Sequence, residues 1–487
     1  MNAAPLTPLR DFSDRLSPMV VKELRHGLRT RAFTSILTFF QLIMILIIGA
    51  GMMGVPMEVV NNIFWSISLL ALLLALPLRG FATLSGETQA GTMDMLTLTS
   101  ISSFRIVWGK WSALFSQTLL LSTSLLPYMV ARYHFGGVEI VREVIALTVA
   151  ALASGLASAA YVAFSSQRSL ILRLFLTAGV LGSLLPVTVF IFVMINDTSG
   201  DEVLRELLSL PRVEQIGIVG GILLMVIYGI VTLLAMGASR IAPVSENHST
   251  WKRVVHLGMI GLLAVAGGAL SFHSEEAAAV WIFVPAMFMT LIIGLDVLTE
   301  EMPRFPSVVQ GFMQRGAFTR RTGRLLYPGW ASGTFLYLLL CSLILSVMVI
   351  HASRHSWNDV EEKFGVFFCI LAAAALPLCL RINRHNRFAN WWIVHIGLGV
   401  SGILLTFFVD LSNMNEVAFV GVLTPITGLL ASTETYSSRE ELLLMTCIFS
   451  LCWLLTALYL AWKENSVYTR LEAEAQDLSA TSQATKS

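Results

Sequence analysis

Apolar runs of roughly 18–23 residues recur along this chain, each long enough to cross a bilayer as an α-helix. No other feature narrows the fold as much, because backbone inside hydrocarbon must satisfy its own hydrogen bonds, and segments of this length do so as helices. Hydropathy places about twelve spans, near 33–53, 62–78, 112–130, 143–164, 174–195, 215–238, 254–272, 278–298, 333–350, 365–380, 391–409 and 442–462. Composition agrees: 55% of residues are hydrophobic and 13% charged, the latter about half the fraction of a soluble protein. The segment 417–432 is apolar but short, with Pro425 and Gly428 in its middle. A full crossing there would put Lys463 and Arg470 outside, so it reads as a re-entrant or outer-surface helix held among other helices. The expected fold is an all-α polytopic membrane protein with about twelve transmembrane helices plus that piece.

Basic residues set the orientation. With the N-terminus inside, the cytoplasmic segments hold roughly 25 Lys and Arg and the outer loops about 7, and this layout puts none within a span. Clusters such as Lys22/Arg25/Arg29/Arg31, Arg315/Arg320/Arg321/Arg324 and Arg381/Arg384/Arg387 fall on one side, and the acidic turns 273–276 and 359–362 on the other. The net charge of +1 hides this asymmetry. It argues for ordinary membrane insertion and against nucleic acid as a partner. The long polar lead, with no small-residue cleavage site after the first apolar run, argues against a cleaved signal peptide.

Chemistry within the chain has little support. Cys341, Cys369, Cys379, Cys447 and Cys452 all fall in expected spans without metal-type spacing, and His248, His256, His385 and His395 form no ligand motif. We therefore expect no metal, no cofactor and no enzyme activity. A nucleotide-cradling loop is also missing: before Gly109-Lys110 the loop would have to begin at Phe104, and Trp111 stands where Ser or Thr should follow. Ionisable groups are nearly absent from the spans, Asp296 and Asp410 lying at span ends. That weighs against an ion-coupled carrier, which needs charges or broken helices at midplane.

Two polar regions carry more information. In the first, Ser17-Pro18 starts a helix, and the following MVVKELRHGLRTRAF sets Val21, Leu24 and Leu28 on one stripe and Lys22, Arg25 and Arg29 on another. This is a basic amphipathic helix lying at the inner surface, as a topogenic anchor or as a lever. The second is the loop 87–110, ETQAGTMDMLTLTSISSFRIVWGK. Gly91 can end one short helix in a left-handed conformation and Thr92 can cap the next. Ser102 or Ser103 can cap a third that runs through Gly109 and Lys110, while Met93, Met95, Leu96 and Leu98 leave an apolar surface outside the spans. That surface rests on lipid headgroups or is covered by a partner.

Together these regions resemble the membrane subunit of an ABC-2 type transporter, an ATP-binding cassette exporter. In that family the loop commonly reads Glu, three residues, Gly-Thr, a run of leucines, Thr-Pro, then Ile-Val-x-Gly-Lys. Here Glu87, Gly91, Thr92, Leu96, Leu98, Thr99, Ile106, Val107, Gly109 and Lys110 stand in those places. The leading segment matches through Pro18, Lys22, Glu23, Leu24, Arg25 and Arg29, whereas Ser100 replaces the usual proline and Met93 and Met95 replace leucines. The resemblance covers roughly residues 17–240, about six spans. It implies a permease that forms the path while a separate ABC ATPase subunit docks on coupling helices in the loop. The coupling residues would be Glu87, Gly91, Thr92, Met95, Leu96, Thr99, Ser102, Arg105, Gly109 and Lys110, beside the interfacial helix of Pro18, Lys22, Glu23, Arg25 and Arg29. The lipid bilayer, and a second permease copy whose need is left open, complete the expected partners. A bacterial inner membrane is the implied location.

The expected organisation is a cytoplasmic amphipathic segment 1–32, a six-span domain 33–240 with its coupling loop at 79–111, a second membrane domain 241–462 and a cytoplasmic tail 463–487, polar and helical at YTRLEAEAQDL and frayed toward its Ser/Thr/Ala/Gln end. The outer side of the first domain holds a short helix at 201–210. The second domain is either a diverged copy, making two six-helix halves, or an accessory bundle. Its loop 299–331 lacks the Gly-Thr-leucine pattern. Two other functions compete with the exporter permease: an ATPase-independent secondary transporter or channel, and a non-transporting membrane scaffold. The substrate is not legible, although apolar spans with scattered Ser, Thr and Gly suit an amphipathic or lipid-like solute best.

Overall fold

The computed structural model describes residues 18–89, 102–136, 138–167, 169–196, 198–243, 247–270, 275–313, 317–354, 360–382, 386–412, 415–434 and 439–484. Among these every regular element is helical, and ten helices are long and apolar enough to cross a membrane. The chain is an all-α polytopic membrane protein. It forms two compact units, Met1–Ser209 with Leu233–Ile241, and Leu210–Thr232 with Ala242–Ser487.

In the first unit, α1 (Pro18–Arg29) starts at the anticipated proline and is followed after Thr30 by α2 (Arg31–Met52). Next come α3 (Met57–Leu69), a π-helical stretch (Leu70–Ala75), α4 (Leu76–Leu78) and α5 (Gly80–Gln89), together one long hydrophobic rod. Pro77 has no N–H to give the preceding turn, and the ladder widens there. The Leu72 carbonyl accepts from Ser154 Oγ at 2.6 Å, so a polar side chain of a neighbouring helix meets the distorted backbone.

The remaining rods are α6 (Ser103–Phe135), α7 (Ile140–Phe164) and α8 (Leu170–Asn196), followed by the short α9 (Thr198–Ser209) in the place expected for an outer helix. Small residues fill α7, with Ala150, Ser154, Ala159 and Ala163 fully buried. Such a helix lets its neighbours approach closely, the usual way to pack helices where lipid removes the hydrophobic drive between them. At Gly155 an added Cβ would stand 2.9 Å from Phe115, and the Gly155 carbonyl accepts from the Trp111 indole at 2.9 Å. Between α2 and α6, Gln41 takes a hydrogen bond from Tyr128 and gives one to Ser124, each at 2.6 Å. Helix α10 (Arg212–Ile241) supplies its last residues, from Leu233, to this unit and the preceding ones to the second.

The second unit is built from α11 (Ser249–Leu270), α12 (Glu275–Leu298), α13 (Ser307–Met313), α14 (Ala317–Leu326), α15 (Trp330–Arg354), α16 (Val360–Ala375), α17 (Arg387–Ser412), α18 (Pro425–Glu434), α19 (Arg439–Glu464) and α20 (Ser466–Ala484). Its core lies among α12, α15, α16 and α19, where Ile293, Tyr337, Leu340, Phe367 and Ala372 are fully buried. Gly294 permits the close crossing of α12 and α16, since a Cβ there would meet that of Ala374 at 2.8 Å. In contrast, Val400, Ile403, Leu404, Phe407 and Phe408 of α17 are exposed, the face a helix turns to lipid.

The segment at 417–432 is broken. A 3-10 stretch (Asn415–Leu423) precedes the ten-residue α18, and Thr427 Oγ1 bonds the Gly421 carbonyl at the break. Ten helical residues span about 15 Å, half of a hydrocarbon core of about 30 Å. Neither piece is long enough to cross alone.

The C-terminal tail corrects the expectation of a frayed end. Tyr468, Leu471, Glu472 and Ala475 recur at helical spacing along α20 and are buried. Helix α20 packs on α13, so the second loop supplies the surface that gives this stretch a fixed fold.

Candidate functional site

The frame of the first loop is the clearest arrangement in the first unit. Helix α5 enters the loop and α6 leaves it, with α1 lying along the start of α6. Ser102 holds the N-cap position of α6 in an extended conformation, but its hydroxyl accepts no capping hydrogen bond from the first helix N–H groups. About two turns further, Gly109 is buried against Met19 of α1, to whose Cγ an added Cβ would come within 3.0 Å. Beside it, the almost fully buried Lys110 ammonium reaches Glu23 Oε1 at 3.4 Å. A third tie comes from Arg79, which donates to Thr30 Oγ1 at 3.0 Å and to Gln117 Oε1 while lying over the Phe33 ring. Lys22, Arg25 and Arg29 remain exposed on the other side of α1, and Arg105 is exposed on the first turn of α6. The amphipathic helix therefore packs its Met19 edge against α6 and leaves its basic edge exposed.

Of the other expected coupling residues, Glu87 falls in the last turn of α5. Gly91, Thr92, Met95, Leu96 and Thr99 lie outside the described residues. Pro18 is the first residue of α1.

Two buried ionic clusters lie where helices run on past the expected spans. In the first unit, Arg132 on α6 pairs with Glu143 on α7 at 2.6 Å, and neither side chain is more than 2% exposed. Trp65 Nε1 donates to Glu143 at 3.2 Å, Asn61 accepts from Arg132, and the guanidinium lies 4.1 Å above the Phe64 ring. Asn196 joins this end of the bundle, taking a hydrogen bond from Asn61 at 2.7 Å and giving one to Asn62 at 2.8 Å. The helices extend past their apolar windows, and the charges are tolerated because the opposite sign waits on the next helix.

The second cluster is larger. His256 of α11 sits between Tyr228, 2.7 Å from Nδ1, and Asp296 of α12, 3.0 Å from Nε2. Asp296 also accepts from Lys252 at 2.5 Å, and Lys252 bridges to Glu300 at 3.0 Å. Arg253 donates to Glu300 at 2.7 Å, to Ser332 Oγ at 2.8 Å and to the Leu325 and Gly329 carbonyls at 2.7 and 3.1 Å. From there Tyr468 receives the Ser332 N–H at 3.2 Å, and Glu472 takes Arg324 through two nitrogens, at 3.1 and 2.8 Å, and Tyr327 at 3.2 Å. A continuous polar chain thus links α10, α11, α12, the second loop, α15 and the terminal helix. Burial alone would push the Glu300 carboxyl up, but the Lys252 and Arg253 charges hold it below the ordinary carboxylate range. The hydrogen bond with Glu472 raises the Arg324 guanidinium above its usual value.

A usable sequence signal for this cluster existed: Lys252 and His256 are four residues apart, as are Asp296 and Glu300. The first pair shares a face of α11, and the second stands at and just past the end of α12 with the opposite sign. No group of three or more His, Cys, Asp or Glu with metal-holding geometry occurs among the described residues.

No family model, no curated protein and no solved structure matches the chain.

Proposed function

We propose that the protein is the membrane permease of an ABC-type exporter, coupled through its first loop to a separate ATPase subunit. The observation that carries this reading is the fastening of α1 to α6 at the loop's exit, through Glu23 with Lys110 and Met19 with Gly109. These residues belong to the two segments that carry the family resemblance. A push on the loop would reach α6 and α1 as one body, and a rigid lever of this kind lets binding at one place bias two packings of the bundle elsewhere. We further propose twelve membrane crossings as two six-helix halves, an inner-membrane location and a cytoplasmic N-terminus. The support is the basic-residue asymmetry of the connecting segments.

The test is affinity purification of the tagged chain in mild detergent, with the co-purifying soluble ATPase identified. The same purification is repeated with Glu87→Ala and Gly91→Leu. An ATPase held by the native chain and lost with both variants is the expected result. No ATPase, or one indifferent to both changes, would sink the coupling argument.

A second reading rests on one specific observation, the Tyr228–His256–Asp296 chain buried in the second unit. Histidine between a phenol and a carboxylate is a proton-handling arrangement, which would suit an ATPase-independent carrier driven by a proton gradient. Transport that persists without ATP in vesicles holding a pH gradient, and stops with His256→Gln, would favour it.

A further inference from the structure

In the second unit a small cleft of about 90 Å³ opens between the end of α12, the turn after α16 and the start of α17. Leu298, Leu378 and Trp391 wall it, and Arg381, Arg387 and Asn390 supply its polar edge. The two guanidinium groups share one aromatic support: Arg387 lies 4.1 Å and Arg381 5.7 Å from the centre of the buried Trp330 ring. Among the described residues neither has a carboxylate within ion-pair distance. Glu301 and Glu464 act on Arg387 only through space. Two like charges stacked on one ring repel each other, and an anion between them would relieve that repulsion. Asn390 keeps the edge in place by donating to the Pro377 and Leu380 carbonyls at 2.7 and 2.8 Å.

Size and setting narrow the occupant. Drug-sized ligands fill sites of about 300–1,000 Å³, while a water needs about 30 Å³, so this cleft has room for one small anionic group and not for a whole solute. Planar guanidinium forks match phosphate oxygens in pairs. Ile382, next to Arg381, is largely exposed. A phosphate held here would have that apolar side chain beside the cationic edge. We propose that the cleft binds the phosphate headgroup of an anionic phospholipid, with Arg381 and Arg387 as the recognising residues and Ile382 beside its chains. Basic pockets between membrane helices take such headgroups by the same chemistry.

The experiment is native mass spectrometry of the full-length chain in detergent, titrated with phosphatidylglycerol, with phosphatidylcholine, or with phosphatidylglycerol plus inorganic phosphate. The expected result is retained phosphatidylglycerol at a stoichiometry that phosphatidylcholine does not reach and millimolar phosphate does not displace. Arg381→Gln and Arg387→Gln should each weaken retention about fivefold, and the double variant further. Arg387→Lys keeps the charge and the packed stem but loses the fork, and should fall between native and Gln. It serves as the reading variant should a Gln variant fail to elute as a single folded species. Equal retention of both lipids, or equal retention by native and variant chains, would overturn the site. Displacement by inorganic phosphate together with no lipid preference would overturn the lipid assignment and leave a free-anion site.

Discussion

Lys110 Nζ lies 3.4 Å from Glu23 Oε1, tying the first helix of the described chain to the helix that leaves the first loop. Lys110 is almost completely buried and Glu23 mostly so. Removing the carboxylate takes an opposite charge away from a buried ammonium, whereas replacing the ammonium by an apolar chain of similar length removes the buried cation itself. Glu23→Gln should therefore destabilise the first unit by about 1–3 kcal/mol, seen as a lower thermal transition in detergent, and Lys110→Met should cost less. Both should weaken ATPase capture if α1 and α6 move together. A Glu23→Gln chain with native stability and native capture would show the tie to be incidental.

Asp296 receives both Lys252 and His256, and so joins the ionic part of the second cluster to its histidine. Asp296→Asn should be strongly destabilising, by about 3–5 kcal/mol, because Lys252 loses half of its charge compensation within the protein. Tyr228→Phe removes only one neutral hydrogen bond and should cost about 1 kcal/mol. Thermal unfolding of the two variants side by side checks the order. Similar shifts for both would mean that the ionic part carries no special weight.

Gly329 has φ +109°, donates to Glu300 at 3.1 Å and accepts from Arg253 through its carbonyl. A Cβ there would stand 2.7 Å from the Tyr468 hydroxyl and 3.0 Å from Pro303. Gly329→Ala combines an unfavourable backbone region with a collision and should cost about 1–3 kcal/mol. The expected local sign is release of α20, read as earlier cleavage of the tail in limited proteolysis. Unchanged cleavage would place the tail's anchorage elsewhere.

Glu300 predicts a direction with pH. Its folded carboxyl is held below the ordinary value by Lys252 and Arg253 in spite of burial. A depressed carboxylate contributes stability that is fully present above its unfolded pKa of about 4.3 and is lost as pH falls through the folded value. The second unit should therefore lose stability on acidification below about pH 4. Glu300→Gln should be less stable at neutral pH and show a flatter slope in that range. A parallel slope would assign the acid sensitivity to other carboxylates.

The lengths and polarity of the apolar runs were enough to read the membrane class and most helices, because lipid imposes one local rule on every crossing segment. Pro18 as a helix start and the stripe of Lys22, Arg25 and Arg29 were legible for the same reason: capping and amphipathic spacing are written within a few residues. The tail was not. Tyr468, Leu471, Glu472 and Ala475 share a face, yet only the second loop makes that face a buried one. The ion pairs were missed for a related reason. A hydropathy window ends where Lys252 or Arg132 appears, but the helix does not.

What the linear chain settled was the helical membrane-spanning class, and it marked the segments at 17–31 and 87–110 on which the proposed coupling rests. These depend on composition and spacing within a helix turn or a bilayer thickness. Only the tertiary structure decided that Glu23 meets Lys110, that Glu143 meets Arg132, that Asp296 gathers Lys252 and His256, and that Arg381 and Arg387 share Trp330. The physical reason is that charge compensation in a low-dielectric interior acts over a few ångströms. Which residues come that close depends on how helices far apart in the chain pack together.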